Sequence, residues 1–352
     1  MRILGIETSC DETAIAIVDN GIHMKSNIVA TSMLQHVKYG GVVPEIAARS
    51  HIESIIPTCT QALAQAETGW EQIDAIAVTY GAGLGGSLLI GVMTARTLAI
   101  IKHKPLIGCN HVLGHIYANF ISHSDLPGYT MPTKTPQFPM LAIIVSGGHS
   151  QLVLFSDHLT YRLLGRTQDD SIGEAFDKVA KILGLPYPGG PSISKIALKG
   201  DKNSFPLPKA KVGKYDFSFS GLKTAVLRLV QQQIGEDYNF PSFMLSERLS
   251  EAQKANIAAS FEHTATDTII DKVITASREF QPKSIVLAGG VAANTMLRSK
   301  LLAITDNNLI MPDIKLCTDN GAMIAALGGW QFKVGEGISD PYSLDINPNL
   351  SM

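Results

Sequence analysis

The 352-residue sequence predicts an α/β protein made of two similar lobes facing each other across a cleft. Two observations carry that expectation. Short β-branched runs alternate with longer stretches of helical periodicity, the pattern of helices layered on sheets. An apolar strand, a small-polar turn and a second apolar strand, "ILGIETSCDETAIAIVD", also recur as "LAIIVSGGHSQLVLF" about 140 residues later. Two halves that open alike point to a duplicated core.

In chain order, apolar and β-branched runs predict strands at 2–7, 13–19, 74–79, 106–109, 140–145, 151–155, 284–288 and 308–311. Helical spacing of apolar residues predicts helices at 44–66, 85–103, 111–121, 171–183, 220–233, 247–278 and 294–303. The stretch "SHSDLPGYTMPTKTPQFP" (122–139) is rich in Pro, Ser and Thr and reads as a loop or domain boundary. The expected lobes are 1–138 plus 322–352, and 139–321.

Composition narrows the class of function. The formal charge of −2 leaves no global basic field to attract a polyanion, so a nucleic-acid partner needs a local patch or another subunit. Seven lysines fall between Lys195 and Lys223 against only Asp201 and Asp216, and this stretch is the one local basic concentration. A solvated loop explains it as readily as phosphate contact. Cys10, Cys59, Cys109 and Cys317 are scattered without CxxC pairing, the pattern of reduced thiols. The first residues run straight into a strand with no secretory pattern. The apolar stretch "SLLIGVMTARTLAII" is interrupted by Thr94, Arg96 and Thr97, and is expected to be too short and polar to span a bilayer. These features predict a cytoplasmic protein with no membrane partner.

Chemistry concentrates in a few motifs. "NHVLGHIYANF" sets His111 and His115 one helical turn apart, where both imidazoles can reach one ion. A bare HxxxH is more commonly a surface feature, and Val112 stands where a zinc peptidase carries its Glu. Asp319, in the small-residue turn of "CTDNGAMIA", offers a third ligand. Two histidines and one carboxylate suit ferrous iron, and zinc uses the same set. In "ETSCDET", Thr8 and Ser9 can donate hydroxyls to phosphate, while Asp11 and Glu12 are candidates for a base or a cation ligand. "VSGGHS" and "VLAGGVAANTMLR" are glycine turns at strand ends, open to close backbone approach by a nucleotide. The absence of GxGxxG disfavours a Rossmann fold. Asp177 can bind ribose hydroxyls, and Gly189–Gly190 lie between prolines.

Nine segments occur in one order: "GIETSCDET", "GGVVPEIAAR", "HVLGH", "VSGGHSQL", "GEAFDKVAK", "YPGGP", "FSFSGLK", "AGGVAAN" and "CTDNGAMIA". In that order the chain resembles, over nearly its whole length, the universal tRNA threonylcarbamoyladenosine transferases, once labelled O-sialoglycoprotein endopeptidases. The resemblance implies an actin-like/hexokinase-like (ASKHA) two-lobed fold. It also implies one divalent metal on His111, His115 and Asp319, with Fe(2+) favoured over Zn(2+). Archaeal relatives carry a Tyr just before VSGG as a further ligand. Ile144 and Val145 stand there, which places the chain nearer the bacterial branch and removes a tyrosinate ligand.

The same resemblance implies transfer of a threonylcarbamoyl group from threonylcarbamoyl-AMP to N6 of adenosine 37 in tRNAs reading ANN codons. Matching substrate positions are Ile144, Val145, Ser146, Gly147, Gly148, Asp177, Gly190 and Asn294, with threonylcarbamoyl-AMP or ATP/AMP in the cleft. Either Asp11 or Glu12 is expected to take the N6 proton or to orient the acceptor. Implied partners are a paralogous non-catalytic subunit of the same fold, a small P-loop ATPase, and tRNA held mainly through the complex. Two other readings compete: a small-molecule kinase of the same fold, and a non-catalytic nucleotide-binding scaffold. Neither has a use for HxxxH with a distant Asp.

Overall fold

The computed structural model describes residues 1–352 except Tyr238 and Asp306. By contact density the chain forms two compact units. The first comprises Met1–Gln137, Val286–Gly289 and Ile310–Met352, and the second Phe138–Ile285 and Gly290–Leu309.

The first unit is a seven-stranded mixed sheet. Its strands are β1 (Arg2–Glu7), β2 (Glu12–Asp19), β3 (His23–Thr31), β4 (Ala75–Gly81), β5 (Leu106–Asn110), β6 (His123–Ser124) and, from the end of the chain, Ile338–Ser339. β1 and β2 form an antiparallel hairpin in register from Arg2↔Asp19 to Glu7↔Ala14, while β1 pairs parallel with β4, and β4 with β5. Nearly every residue of β1, β2, β4 and β5 is buried, so these strands are covered on both faces and read as continuous apolar runs. The helices of this unit are α1 (Met33–His36), α2 (Pro44–Gln65), α3 (Gly85–Lys102) and α4 (His111–Tyr117), joined later by Gly321–Val334.

The second unit opens with the same hairpin grammar. β7 (Met140–Val145) and β8 (Ser150–Asp157) are antiparallel in register from Met140↔Phe155 to Val145↔Ser150, and β9 (Thr160–Arg166) adds to β8. Helices α5 (Ile172–Ile182), α6 (Gly189–Ala197), α7 (Ser220–Gln233) and α8 (Glu251–Phe280) follow, then β10 (Ser284–Ala288), α9 (Thr295–Ile304) and β11 (Leu309–Ile310), with the unit boundaries falling inside β10 and β11. The five-stranded sheet runs β11-β10-β7-β8-β9. The late elements of the first unit are α10 (Gly321–Val334) and β12 (Ile338–Ser339).

Several expectations need correction. Residues 310–321, expected in the second lobe, lie with the first unit, because Asn320 caps α10 and α10 packs on β1, β2 and α4. The predicted helix 111–121 stops at Tyr117 and tightens to a 3₁₀ turn over Ala118–Phe120. The predicted helix 247–278 divides: Ser242–Arg248 is a 3₁₀ segment, and α8 starts after a Ser250–Gln253 capping box. β3, β9 and α6 lie outside the predicted elements. β9 carries polar residues at exposed positions, and α6 contains Gly, Pro and Ser that weaken the helical signal.

The apolar helix α3 corrects a further expectation. Its 18 residues, at mean hydropathy 1.3, are long and apolar enough by composition to cross a membrane. Here Ser87, Leu88, Gly91, Val92, Ala95 and Ala99 are buried, and the helix packs on α2 and β4. All four cysteines are free thiols.

Candidate active site

Asn110, the last residue of β5, caps α4: its side-chain oxygen accepts from the Val112 N–H at 2.8 Å and the Leu113 N–H at 3.2 Å. The cap starts the helix immediately at His111, so His111 and His115 stand one turn apart with ring centroids 4.8 Å from each other.

Asp319 arrives from α10. Asn320 caps that helix by accepting from the Met323 N–H at 3.0 Å, and its amide donates back to the Leu316 and Thr318 carbonyls. The start of α10 lies almost on β2. A Cβ on Gly321 would meet the Ala16 nitrogen at 2.5 Å, so only glycine allows that approach. Gly114, between the two histidines, faces Ile324 of α10.

The outcome is a convergent triad. Asp319 Oδ1 lies 3.2 Å from His115 Nε2 and 3.6 Å from His111 Nε2. All three donor atoms fall within 4.8 Å of one another, the one such group among the described residues. Donors bound at ~2.1 Å around one ion sit roughly 3.0–3.5 Å apart, and the two Asp319–histidine distances lie close to that spacing, so the group could hold a divalent cation. His115 Nδ1 is buried without a hydrogen-bond partner, which leaves this imidazole's polar role to the Nε2 edge.

Sequence reading missed Glu7. It ends β1, is fully buried, and its Oε2 lies 3.2 Å from His111 Nδ1. The Ser9 N–H and the Thr79 hydroxyl donate to its two oxygens, each at 2.5 Å. Burial pushes this carboxyl up, but His111 and the donated hydrogen bonds outweigh it and hold Glu7 below the usual range. Its signal was an acid closing an otherwise apolar core strand, costly to bury unless it is used. His111 is displaced the other way. Burial pulls it down, but Asp319 and Glu7 raise it to about 9.

The turn after β1 is committed largely to structure. Thr8 donates its hydroxyl to the Ser87 carbonyl at 3.0 Å, and Ser9 Oγ sits 3.0 Å from His111 Nδ1. Both hydroxyls, expected to meet phosphate, serve the protein itself. The Asp11 carbonyl accepts from Ser32 through backbone and hydroxyl, at 3.2 and 2.9 Å. Glu12 is raised to about 9, by burial first and then by Asp319 and Asp11. At neutral pH, without a cation, Glu12 is a protonated acid beside the Asp11 side chain.

The remaining expected positions lie in the second unit. Ile144 and Val145 are wholly buried, so only their backbone is available to a ligand. Ser146 Oγ accepts from the Gly148 and His149 N–H groups, closing the turn, and Gly147 and Gly148 have open space where a Cβ would be. Asp177 accepts the Gly189 N–H at 2.8 Å, and Gly190 borders open space. Burial raises the Asp177 carboxyl, and the Gly189 N–H opposes that rise. Asn294 caps α9 through its oxygen, while its amide donates to Ser194 at 3.1 Å and to Glu262 at 2.7 Å. Much of the lysine-rich stretch is already paired: Lys209 with Asp271, Lys214 with Glu279 and Lys223 with Asp170.

Comparison with known proteins shows the family. The sequence pattern of the tRNA N6-adenosine threonylcarbamoyltransferase (TsaD) family matches residues 23–326. The protein of that name from Thermomicrobium roseum is 47% identical over 360 residues, covering 100% of this chain and 97% of that one. Its counterpart from Moorella thermoacetica is 43% identical over 358 residues, again 100% and 97%. Among solved structures, T. kodakarensis HypF superposes with TM-score 0.58 at 13% identity, over 95% of this chain and 47% of that one. Full-length HypF in its phosphate- and nucleotide-bound form gives TM-score 0.57 over 96% and 47%. The fold is the expected ASKHA-like α/β fold with two mixed sheets. By sequence over its full length, the chain belongs to the tRNA N6-adenosine threonylcarbamoyltransferase family.

Proposed function

We propose that this chain transfers the threonylcarbamoyl group of threonylcarbamoyl-AMP to N6 of adenosine 37 in tRNAs reading ANN codons. The convergence of His111, His115 and Asp319 beside the Asp11–Glu12 turn carries this reading. The triad is the seat of one divalent ion, Fe(2+) favoured and Zn(2+) possible by its donor set. When bound, such an ion supplies Lewis-acid polarisation of carbonyl and phosphoryl oxygens.

The chain's own residues do the rest. Glu7 and Ser9 hold the His111 ring edge-on, leaving Nε2 to face Asp319. The adenine amine is a weak nucleophile, so orientation supplies much of the acceleration. We assign Asp11, with Glu12 beside it, as the group that accepts the N6 proton as the carbamoyl bond to AMP breaks and AMP leaves. In the second unit, the backbone of Ile144–Gly148, together with Asp177 and Gly190, belongs to the donor's nucleotide. Asn294 supports that region from its cap on α9, since its side chain is spent on Leu297, Ser194 and Glu262.

One surface feature supports a protein partner. Ala48 of α2 lies against Gly86 of α3, and one turn further on Ile52 and Ile56, with Leu89 and Met93, leave 44–60% of their surface exposed. An apolar strip on two adjacent helices supports a paralogous non-catalytic subunit seated there. A small P-loop ATPase and tRNA complete the assembly, which works in the cytoplasm. The test is anaerobic purification with metal analysis, then transfer assays with and without partner subunits. Stoichiometric metal and loss of transfer on chelation are expected. Full transfer by chelated protein overturns the reading.

A further inference from the structure

We infer that the segment Asp340–Ser351 is a positioning strap for the metal-bearing helix α4, acting through the second half of the Asn110 carboxamide. The inference rests on the metal reading above and goes beyond it. While the Asn110 oxygen caps α4, its amide donates to the Ser351 carbonyl at 3.3 Å, so both halves of one side chain have fixed partners. Without the Ser351 acceptor the carboxamide is held by its oxygen alone, and the start of α4 at His111 is less firmly fixed.

The strap is built in rather than draped. Arg96 donates to the Pro341, Tyr342 and Leu344 carbonyls at 2.7, 2.6 and 3.4 Å. Leu344 and Ile346 pack against the apolar core of the first unit beside Tyr80. The Asn347 N–H then donates to the Tyr80 carbonyl at 2.7 Å, and the Pro348 carbonyl accepts the Gly83 N–H at 3.1 Å. A Cβ on Gly81 would sit 2.1 Å from the Asn347 carbonyl oxygen, so the strap lies directly on the end of β4. One residue further, the Leu84 N–H donates to the Ser9 carbonyl at 2.8 Å, and Ser9 faces His111. The strap thus touches the ends of two paired strands: β4 at Tyr80 and Gly81, and β5, which leads into His111, at Asn110. Binding sites need their ligands held within about half an ångström, and outer partners of ligating histidines are worth about 10–100-fold in metal affinity.

Two variants separate strap from cap. A chain stopped after Ile346 removes the strap's end. Asn110→Ser keeps a capping oxygen but cannot reach Ser351. Cobalt(II) titration of the purified full assembly is expected to show about tenfold weaker binding in both. Amide exchange at Val112 and Leu113 in metal-free protein is expected to quicken about tenfold, while exchange in α10 stays unchanged. A peptide spanning Leu344–Met352, added in trans, is expected to restore the truncated chain. Unaltered cobalt affinity and unaltered exchange in both variants overturn the strap, as does a loss that only follows a general drop in melting temperature. If wild-type protein binds no cobalt, the metal reading falls, and exchange at Val112 and Leu113 still decides the strap.

Discussion

The Nδ1 atom of His111 lies 3.2 Å from the Glu7 carboxylate, on the ring edge opposite the Nε2 that faces Asp319. A carboxylate behind a ligating imidazole fixes its tautomer and raises its basicity. Glu7→Gln keeps the size and loses the charge. Metal affinity should fall about 10–100-fold in this variant, measured by titration. The Gln oxygen can keep the Ser9 N–H, but its amide then faces the Thr79 hydroxyl, which must turn from donor to acceptor, so stability should drop by about 1 kcal/mol. Unchanged affinity removes Glu7 from the site.

His111, held at about 9 without an ion, must release its proton when a cation binds. Metal affinity should therefore weaken by about tenfold for each unit that pH falls below 9. Binding isotherms at several pH values check this, and a flat profile contradicts it. Stability of the metal-free chain changes in the opposite sense. His111's contribution to the metal-free chain is full below 6.5 and lost as pH rises through about 9.

Glu12, also raised to about 9, binds its proton in the folded chain across a range where the unfolded chain has released it. Its penalty is absent below the ordinary carboxyl value of 4.5 and grows until pH passes about 9. Glu12→Gln should thus leave the melting temperature of metal-free protein near wild type at pH 4.5 and raise it by several degrees at pH 8. Thermal melts at the two pH values decide.

Asp11 and Glu12 should separate kinetically. Asp11→Asn removes the proposed base and is expected to lower kcat about 10²–10⁴-fold with little change in KM. Glu12→Gln mimics the protonated acid and should cost far less. Full transfer in both Asp11→Ala and Glu12→Ala proteins would eliminate the pair.

Gly5 of β1 and Gly321 of α10 form one crossing: a Cβ on Gly5 would meet the Ala325 nitrogen at 2.4 Å and the Gly321 oxygen at 2.5 Å. Those neighbours are backbone and cannot step aside. Gly5→Ala or Gly321→Ala should destabilise the chain by about 1–3 kcal/mol or more. Because α10 carries Asp319 at its entrance, both should also weaken metal binding, read by titration at a temperature where the variants remain folded.

The sequence by itself determined the class of fold and the chemistry of the triad. Continuous apolar runs at β1, β2, β4, β5 and β7 mark strands buried on both faces, and helical spacing sets the two histidines one turn apart. Both signals are local periodicities, legible in any window that contains them. The tertiary structure decided what each side chain is for. It joined Asp319 to His115, seated Glu7 behind His111, and turned the Thr8 hydroxyl and the Asn294 amide inward to the protein's own groups. The Asp319–His115 pairing depends on where α10 crosses β1 and β2, and that crossing is set by glycines far apart in the chain whose missing side chains leave no periodic trace.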